Sequence, residues 1–402
     1  MPSKVWAPLL VNFLFMKNYQ FLQQKYTVNT YVNRGVTFIK GEGMYLIDEN
    51  GEKYLDMMSN YGVNIFGHAD KKIIKQLEQQ LKLITTLHGS FNNDKRAEAS
   101  ELLIKRLGQT YTNVYWCNSG TEANEAALKF AVAATGKKKI ITCDHGYHGK
   151  TLGALSVTFG DKYRKPFLPL LWQVEFIAHN NPQALEKAID SNTAAFIVEP
   201  IQGEGGIYVP NINYLKKVRE ICNKHGVILI IDEVQTGMGR TGSLLCSQKS
   251  GIEADILTLG KGLAGGIPVG ATLINNKVSS VIFKGLHTST FGGNPLACAG
   301  VIATLDKIDN QLLKHVTEIG AYFLKKLKAI KSPSILDVRG QGLMIGVDVK
   351  DDRNGLLKKL QSEKILAIPA GDTVVRFLPP FIVEKKHIDL VINVLKKQLN
   401  LK

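Results

Sequence analysis

The chain has 402 residues, of which 45% are hydrophobic and 21% charged, enough to bury a large core and to form two or three domains. No run of about 18 uncharged apolar residues occurs, which argues against a transmembrane helix, and five scattered cysteines without a CxxC pair argue against a disulfide framework or a zinc site. The net charge of +15 suits a nucleic acid, an anionic substrate or an acidic protein; without an arginine-rich or aromatic-basic motif, no nucleic-acid partner is expected. Free thiols suit a reducing cytoplasm, which is the expected location.

Residues 1–40 contain no Asp or Glu. Their opening, MPSKVWAPLLVNFLFMKNYQ, lacks a small-residue cleavage site. It is predicted to be an arm that packs on its own fold or on a partner subunit, with Met16 as an alternative start. In GEGMYLIDENGEKYLDMMSNYG, residues 41–62, apolar alternation flanks Glu49, Asn50 and Gly51, which predicts a β-hairpin with an Asn-Gly turn. Helical periodicity is present over 71–83 and 95–107.

A short strand over 114–117 then runs into Asn118, Ser119, Gly120 and Thr121, with an alanine-rich helix from Glu122. Backbone N–H groups, hydroxyls and the helix dipole there suit a phosphate. The same residues read equally as a plain capping motif. The strand over 138–143 leads to a glycine-rich turn holding Tyr147 and His148, where an aromatic ring either covers a flat ligand or fills a loop. The strand over 194–198 ends at Glu199 and Pro200, and the helix over 214–225 comes after the loop IQGEGGI.

The run 227–231 is apolar and β-branched, as a strand buried on both faces requires. Asp232 and Glu233 stand at its carboxyl end, where α/β proteins place ligands. A second apolar segment ends at Thr258 and Leu259, and Lys261 sits between glycines just beyond. A lysine can condense with an aldehyde, and an aspartate can keep a pyridine nitrogen protonated, so the pair suggests cofactor chemistry. Strand and helix patterns alternate over about 112–275, which predicts a doubly wound, largely parallel α/β sheet. Long helices, then strands and a helix near 388–399, predict a smaller α+β domain. The expected division is an N-terminal arm and hairpin (1–60) packed with the small domain, a large domain (61–300) and a C-terminal small domain (301–402).

Seven motifs in order, NSGTEANEAALK, YHGKT, VEPIQGEGG, IDEVQTGMGRTG, LTLGKGLAGGIPVGA, TSTFGGNPLA and VRGQGLMIG, resemble those of the class III pyridoxal-phosphate aminotransferases of fold type I. The resemblance spans about 35–399 and includes the 29-residue spacing from Asp232 to Lys261. It implies pyridoxal 5'-phosphate as cofactor and no metal. Lys261 would bond the cofactor's aldehyde and move the proton, while Asp232 would pair with the pyridine nitrogen. Gln235 would contact the phenolic oxygen, Ser119, Gly120 and Thr121 would hold the phosphate, and Tyr147 would stack on the ring. His148, Glu233 and Val234 would complete the cofactor contacts. Thr290 resembles the residue that closes the phosphate site from the other subunit, which implies a homodimer with shared active sites. Glu199 resembles the gate glutamate that pairs with an arginine in one half-reaction and releases it to 2-oxoglutarate in the other, with Arg376 as that arginine.

Within the family the chain is similar to the acetylornithine branch. KYRKPFLPL, VEFI and AGDTVVRFLPP resemble the enzymes that aminate semialdehydes borne by the acidic amino-group carrier protein LysW in lysine or arginine biosynthesis. The +15 charge suits such a partner. The resemblance implies an ω-aminotransferase using glutamate and 2-oxoglutarate, with acetylornithine, ornithine and 4-aminobutyrate transamination as alternatives. Lys150 stands where the family usually carries an arginine that clamps the substrate's α-carboxylate, and lysine lacks that planar fork. Tyr61 is similar to the residue of ornithine δ-aminotransferases, and Ser289 joins these as a substrate-contact candidate.

Overall fold

The computed structural model describes residues 18–108 and 110–399. The opening apolar patch and Met16 lie outside the described residues. Further along, the N-terminal segment packs on the chain's own fold. Arg34 donates from Nε to Gln361 Oε1 (2.8 Å) and from Nη1 to the Ala367 carbonyl (3.0 Å).

The strands are β1 (Phe38–Glu42), β2 (Tyr45–Asp48), β3 (Lys53–Asp56), β4 (Tyr111–Cys117), β5 (Lys139–Cys143), β6 (Gln173–Ile177), β7 (Thr193–Val198), β8 (Ile228–Asp232), β9 (Ile256–Leu259), β10 (Gly270–Asn275), β11 (Ile335–Gln341), β12 (Met344–Val349), β13 (Ile365–Leu366), β14 (Ile368–Ala370) and β15 (Val374–Phe377). The central sheet runs β4-β10-β9-β8-β7-β5-β6. Its β9-β8-β7-β5-β6 portion is parallel, and only β10 runs against its neighbours. Every residue of β7 and β8 is buried, as their largely apolar character requires of strands covered on both faces.

The helix Gly120–Thr135 covers this sheet. Ala123, Ala126, Ala127 and Ala131 line its buried face, and their small side chains let its backbone lie close to the strands. It starts at Ser119, whose Oγ accepts from Glu122 N (3.2 Å), and stops at Gly136, in left-handed geometry (φ 69°).

Two smaller sheets flank the large one. β11-β12-β15-β14 is antiparallel throughout. β1-β2-β3 is an antiparallel meander whose β2–β3 turn is the one expected at Asn50-Gly51, with Asp48 Oδ1 accepting from Asn50 N and Glu52 N. β3 then pairs in parallel with β13, Leu55 opposite Ile365, so the N-terminal meander shares a sheet with residues more than 300 positions later.

Candidate active site

β4, β7, β8 and β9 deliver their carboxyl ends to one edge of the central sheet, and the turn after β5 meets them there. Asp232 is the last residue of β8 and is 4% exposed. Its Oδ2 accepts from His148 Nδ1 and from Asn124 Nδ2, each at 2.8 Å, and Oδ1 accepts from Val234 N (3.0 Å). Asn124 is itself held: Nδ2 also donates to the His148 carbonyl, and Oδ1 accepts from Thr258 Oγ1 at the end of β9. Three elements thus lock one carboxylate, and charge-assisted bonds of this kind are the stronger class. Pattern reading missed Asn124 and Thr258. The available signal was a polar residue on the buried face of an alanine-rich helix.

Lys261 comes just after β9 and opens a 3-10 turn with φ 45°, a left-handed conformation uncommon for a residue bearing a Cβ. Burial lowers its amine below the usual lysine range, against the pull of Asp232. Ser119, Gly120 and Thr121 lie at the helix start. The first intrahelical bond runs from Ala123 N to Ser119 O, so the N–H groups of Gly120 and Thr121 precede the ladder and are available to an anion. A Cβ at Gly120 would lie 2.5 Å from Val234 Cγ1, so only glycine lets the helix start and the post-β8 turn meet. Tyr147 and His148 sit in the turn after β5. Burial pushes the Tyr147 phenol up to about 12, so it is a neutral ring.

Asp232 and Glu233 point to different surroundings, as adjacent strand-end residues do. Glu233 does not join Asp232's cluster. Its oxygens accept from Thr236 Oγ1, Cys246 N and Ser247 N, which commits it to holding the loop beyond it.

The expected Glu199–Arg376 pair is also corrected. Arg376, on β15 and fully buried, donates from Nη2 to Glu204 Oε2 (2.7 Å) and the Pro369 carbonyl (2.9 Å), and from Nη1 to Gln235 Oε1 (3.1 Å). Glu199 accepts from backbone donors instead: Tyr147 N at 2.9 Å and Gly203 N at 3.0 Å. Glu204, just past that turn, reaches the guanidinium instead. Its signal was present as a carboxylate flanked by glycines.

Tyr61 lies with its ring 5.4 Å from the Arg376 guanidinium. Ser59, Asn60 and Tyr61 have φ of 40°, 51° and 59°, three consecutive left-handed residues. Such geometry costs on the order of 1–3 kcal/mol per residue. Asp56 holds it by accepting from Met58 N and Ser59 N, and Ser59 Oγ donates to the Leu378 carbonyl. Lys150 is exposed, its amine 5.3 Å from the Tyr163 ring centre. A cleft of about 230 Å³ at this mouth is lined by Tyr147, Tyr163, Lys162 and Glu204. Ser289 Oγ accepts from Asn118 Nδ2 (3.2 Å), beside the helix start, and Thr290 is exposed. Among the described residues, no cluster of His, Cys, Asp or Glu is arranged to hold a metal, and no helix is long and apolar enough to cross a membrane.

The set fits pyridoxal phosphate. Open N–H groups at a helix start suit its phosphate, a fixed carboxylate suits its ring nitrogen, and a buried amine suits its aldehyde.

The family described as Aminotransferase class-III matches residues 26–399. The acetylornithine aminotransferase of Methanosarcina acetivorans is 40% identical over 375 residues, covering 93% of this chain and 94% of the relative. The [LysW]-aminoadipate semialdehyde/glutamate semialdehyde transaminase of Sulfurisphaera tokodaii is 41% identical over 373 residues, covering 92% and 96%. Among solved structures, the ornithine aminotransferase of Toxoplasma gondii superposes with a TM-score of 0.92 at 33% identity, covering 99% of each chain. The acetylornithine aminotransferase of Elizabethkingia anophelis gives 0.84 at 34% identity, covering 95% and 98%.

Proposed function

The chain belongs to the class III aminotransferases, pyridoxal-phosphate enzymes, and from that premise we propose that it moves an amino group from glutamate to the terminal carbon of an N-blocked amino-acid semialdehyde. The observation that carries this reading is the Arg376–Glu204 pair beside Gln235. A two-substrate amino transfer must accept a dicarboxylate in one half-reaction and a chain without that second carboxylate in the other. A buried arginine that a movable carboxylate can cap or release serves both. An aminomutase or decarboxylase has no use for such a switch.

The cofactor, when bound, supplies an electrophilic aldehyde and a ring that withdraws electrons from the reacting carbon. Ser119, Gly120 and Thr121 would hold its phosphate, Tyr147 would cover its ring, and Val234 would add a further contact. Asp232, fixed by His148 and Asn124, would keep a proton at the ring nitrogen. Lys261 Nζ, its proton affinity lowered by burial, would move the proton between the substrate carbon and the cofactor's aldehyde carbon. Glu204 leaves Arg376 when a dicarboxylate arrives and caps it otherwise. The family is typically dimeric, and Thr290 is assigned to the phosphate site of a second copy.

The acceptor is proposed to be carried on an acidic amino-group carrier protein, aminoadipate or glutamate semialdehyde being the linked group. Support comes from the +15 net charge, from Lys150 and Lys162 at the mouth, and from the Sulfurisphaera relative's name. A second reading, free N-acetylated substrate, is favoured by relatives such as the 42% identical acetylornithine aminotransferase of Clostridium acetobutylicum. Comparing kcat/KM for acetylornithine with that for carrier-bound ornithine and lysine separates them. A carrier-borne substrate should win by tenfold or more at low salt and lose ground as salt rises. Equal values reject the carrier.

A further inference from the structure

Glu199 is 6% exposed and, among the described residues, makes no hydrogen bond to Arg376 or Gln235. Its two oxygens instead join two turns. Oε1 accepts from the N–H of Tyr147, in the turn after β5, and Oε2 from the N–H of Gly203, in the turn after β7. Tyr147 covers the ring site. Gly203 precedes Glu204, and a Cβ there would fall 2.5 Å from the Gln235 amide, so its peptide is pressed against a second partner of Arg376. The Glu204 carbonyl accepts from Gly371 N (2.7 Å), and the Gly206 carbonyl from Arg339 Nε (2.9 Å), so the loop is fastened further along and Glu199 sets its near end.

We propose that Glu199 is a positioning residue that holds the ring-covering turn and the Glu204 loop in one fixed relation, so that cofactor grip and the choice between the two substrates depend on the same carboxylate. A neutral packing residue would serve to fill the space, yet the chain keeps an ionisable one where burial pushes its carboxyl up to about 7, against the pull of His148. The two N–H donors explain why: each finds a carboxyl acceptor in a place water does not reach, and a buried N–H without a partner is costly.

Glu199→Gln preserves volume and one acceptor oxygen, but its NH₂ group faces one of the two N–H donors. Three measurements test the role. The first is the dissociation constant of pyridoxal phosphate from the apoenzyme, monitored by absorbance. The second is the ratio of single-turnover rate constants per KM for glutamate and for the ω-amine substrate. The third is the thermal midpoint of the apoenzyme. Cofactor affinity should fall at least about tenfold as the ring-covering turn loosens, about 1.4 kcal/mol, and the substrate ratio should shift at least about fivefold, with the midpoint still cooperative. Gln202 supplies the comparison, because its Nε2 also crosses between these turns, donating to the Asp144 carbonyl (2.6 Å), without touching Tyr147 N or Gly203 N. Gln202→Met should leave the substrate ratio at its wild-type value. Wild-type affinity and ratio in Glu199→Gln, or an equal ratio shift in Gln202→Met, overturns the proposal. The half-reaction arm rests on the aminotransferase reading. Wild-type enzyme inert toward every amine would sink that reading while leaving the cofactor-affinity comparison standing.

Discussion

Glu204→Ala removes the cap from Arg376 and leaves the guanidinium its other two partners, Gln235 Oε1 and the Pro369 carbonyl. The arginine is therefore not orphaned, and the variant should fold. In the wild type a dicarboxylate must displace Glu204 before it can bind Nη2. A hydrogen bond to a charged group contributes about 1.5–3 kcal/mol, which at 1.4 kcal/mol per tenfold is about 10- to 150-fold. Glu204 is 29% exposed in its side chain, so solvent screening moves the expectation toward the lower end. The KM of the glutamate half-reaction should fall by about 10- to 30-fold. The ω-amine half-reaction should gain nothing, and it should weaken because its chain then lies against an uncapped cation. Rapid-mixing single-turnover experiments with each substrate alone, reading the cofactor's absorbance change, measure both. A ratio of the two kcat/KM values within about twofold of wild type would refute the switch, as would an equal loss in both directions.

Asn124→Asp places a second carboxylate where Nδ2 now donates to Asp232, and only a shared proton relieves the repulsion. The pair's folded pKa rises, so the lost stability should be about 2–4 kcal/mol near pH 8 and largely recovered near pH 5; parallel stability curves for variant and wild type would contradict this. Burial lowers the Lys261 amine below the usual lysine range, so folding disfavours its proton, and its contribution to apoenzyme stability grows as pH climbs from the lowered folded value toward the unfolded one. Covalent capture of pyridoxal phosphate should accordingly titrate below 10.5 and vanish in Lys261→Ala; a midpoint at or above that value argues against the burial account. Lys150→Arg restores a planar fork at the mouth and should keep activity or lower the substrate KM by up to about tenfold. A large loss would show that Lys150 does something other than bind a carboxylate.

Much of the site was legible because local rules place it. An apolar β-branched run must be a covered strand, so Asp232 had to stand at a sheet edge. Ser119 before an alanine-rich run had to cap a helix, whatever ligand it also serves. Lys261, after a second strand, had to share that edge. Sequence alone determined these placements because each depends on a few neighbouring residues. Pairings between distant segments were different. Glu199 and Glu204 are both carboxylates in one loop, and nothing local says which meets Arg376, 172 positions from Glu204. Tertiary structure decided it by a competition: the N–H groups of Tyr147 and Gly203 occupy Glu199, and the loop carries Glu204 onward to β15. The same holds for Asn124, whose two donors and one acceptor are matched only when helix, β8, β9 and the His148 turn close on one point. A buried polar group must find partners, but which partners it finds depends on the assembled fold.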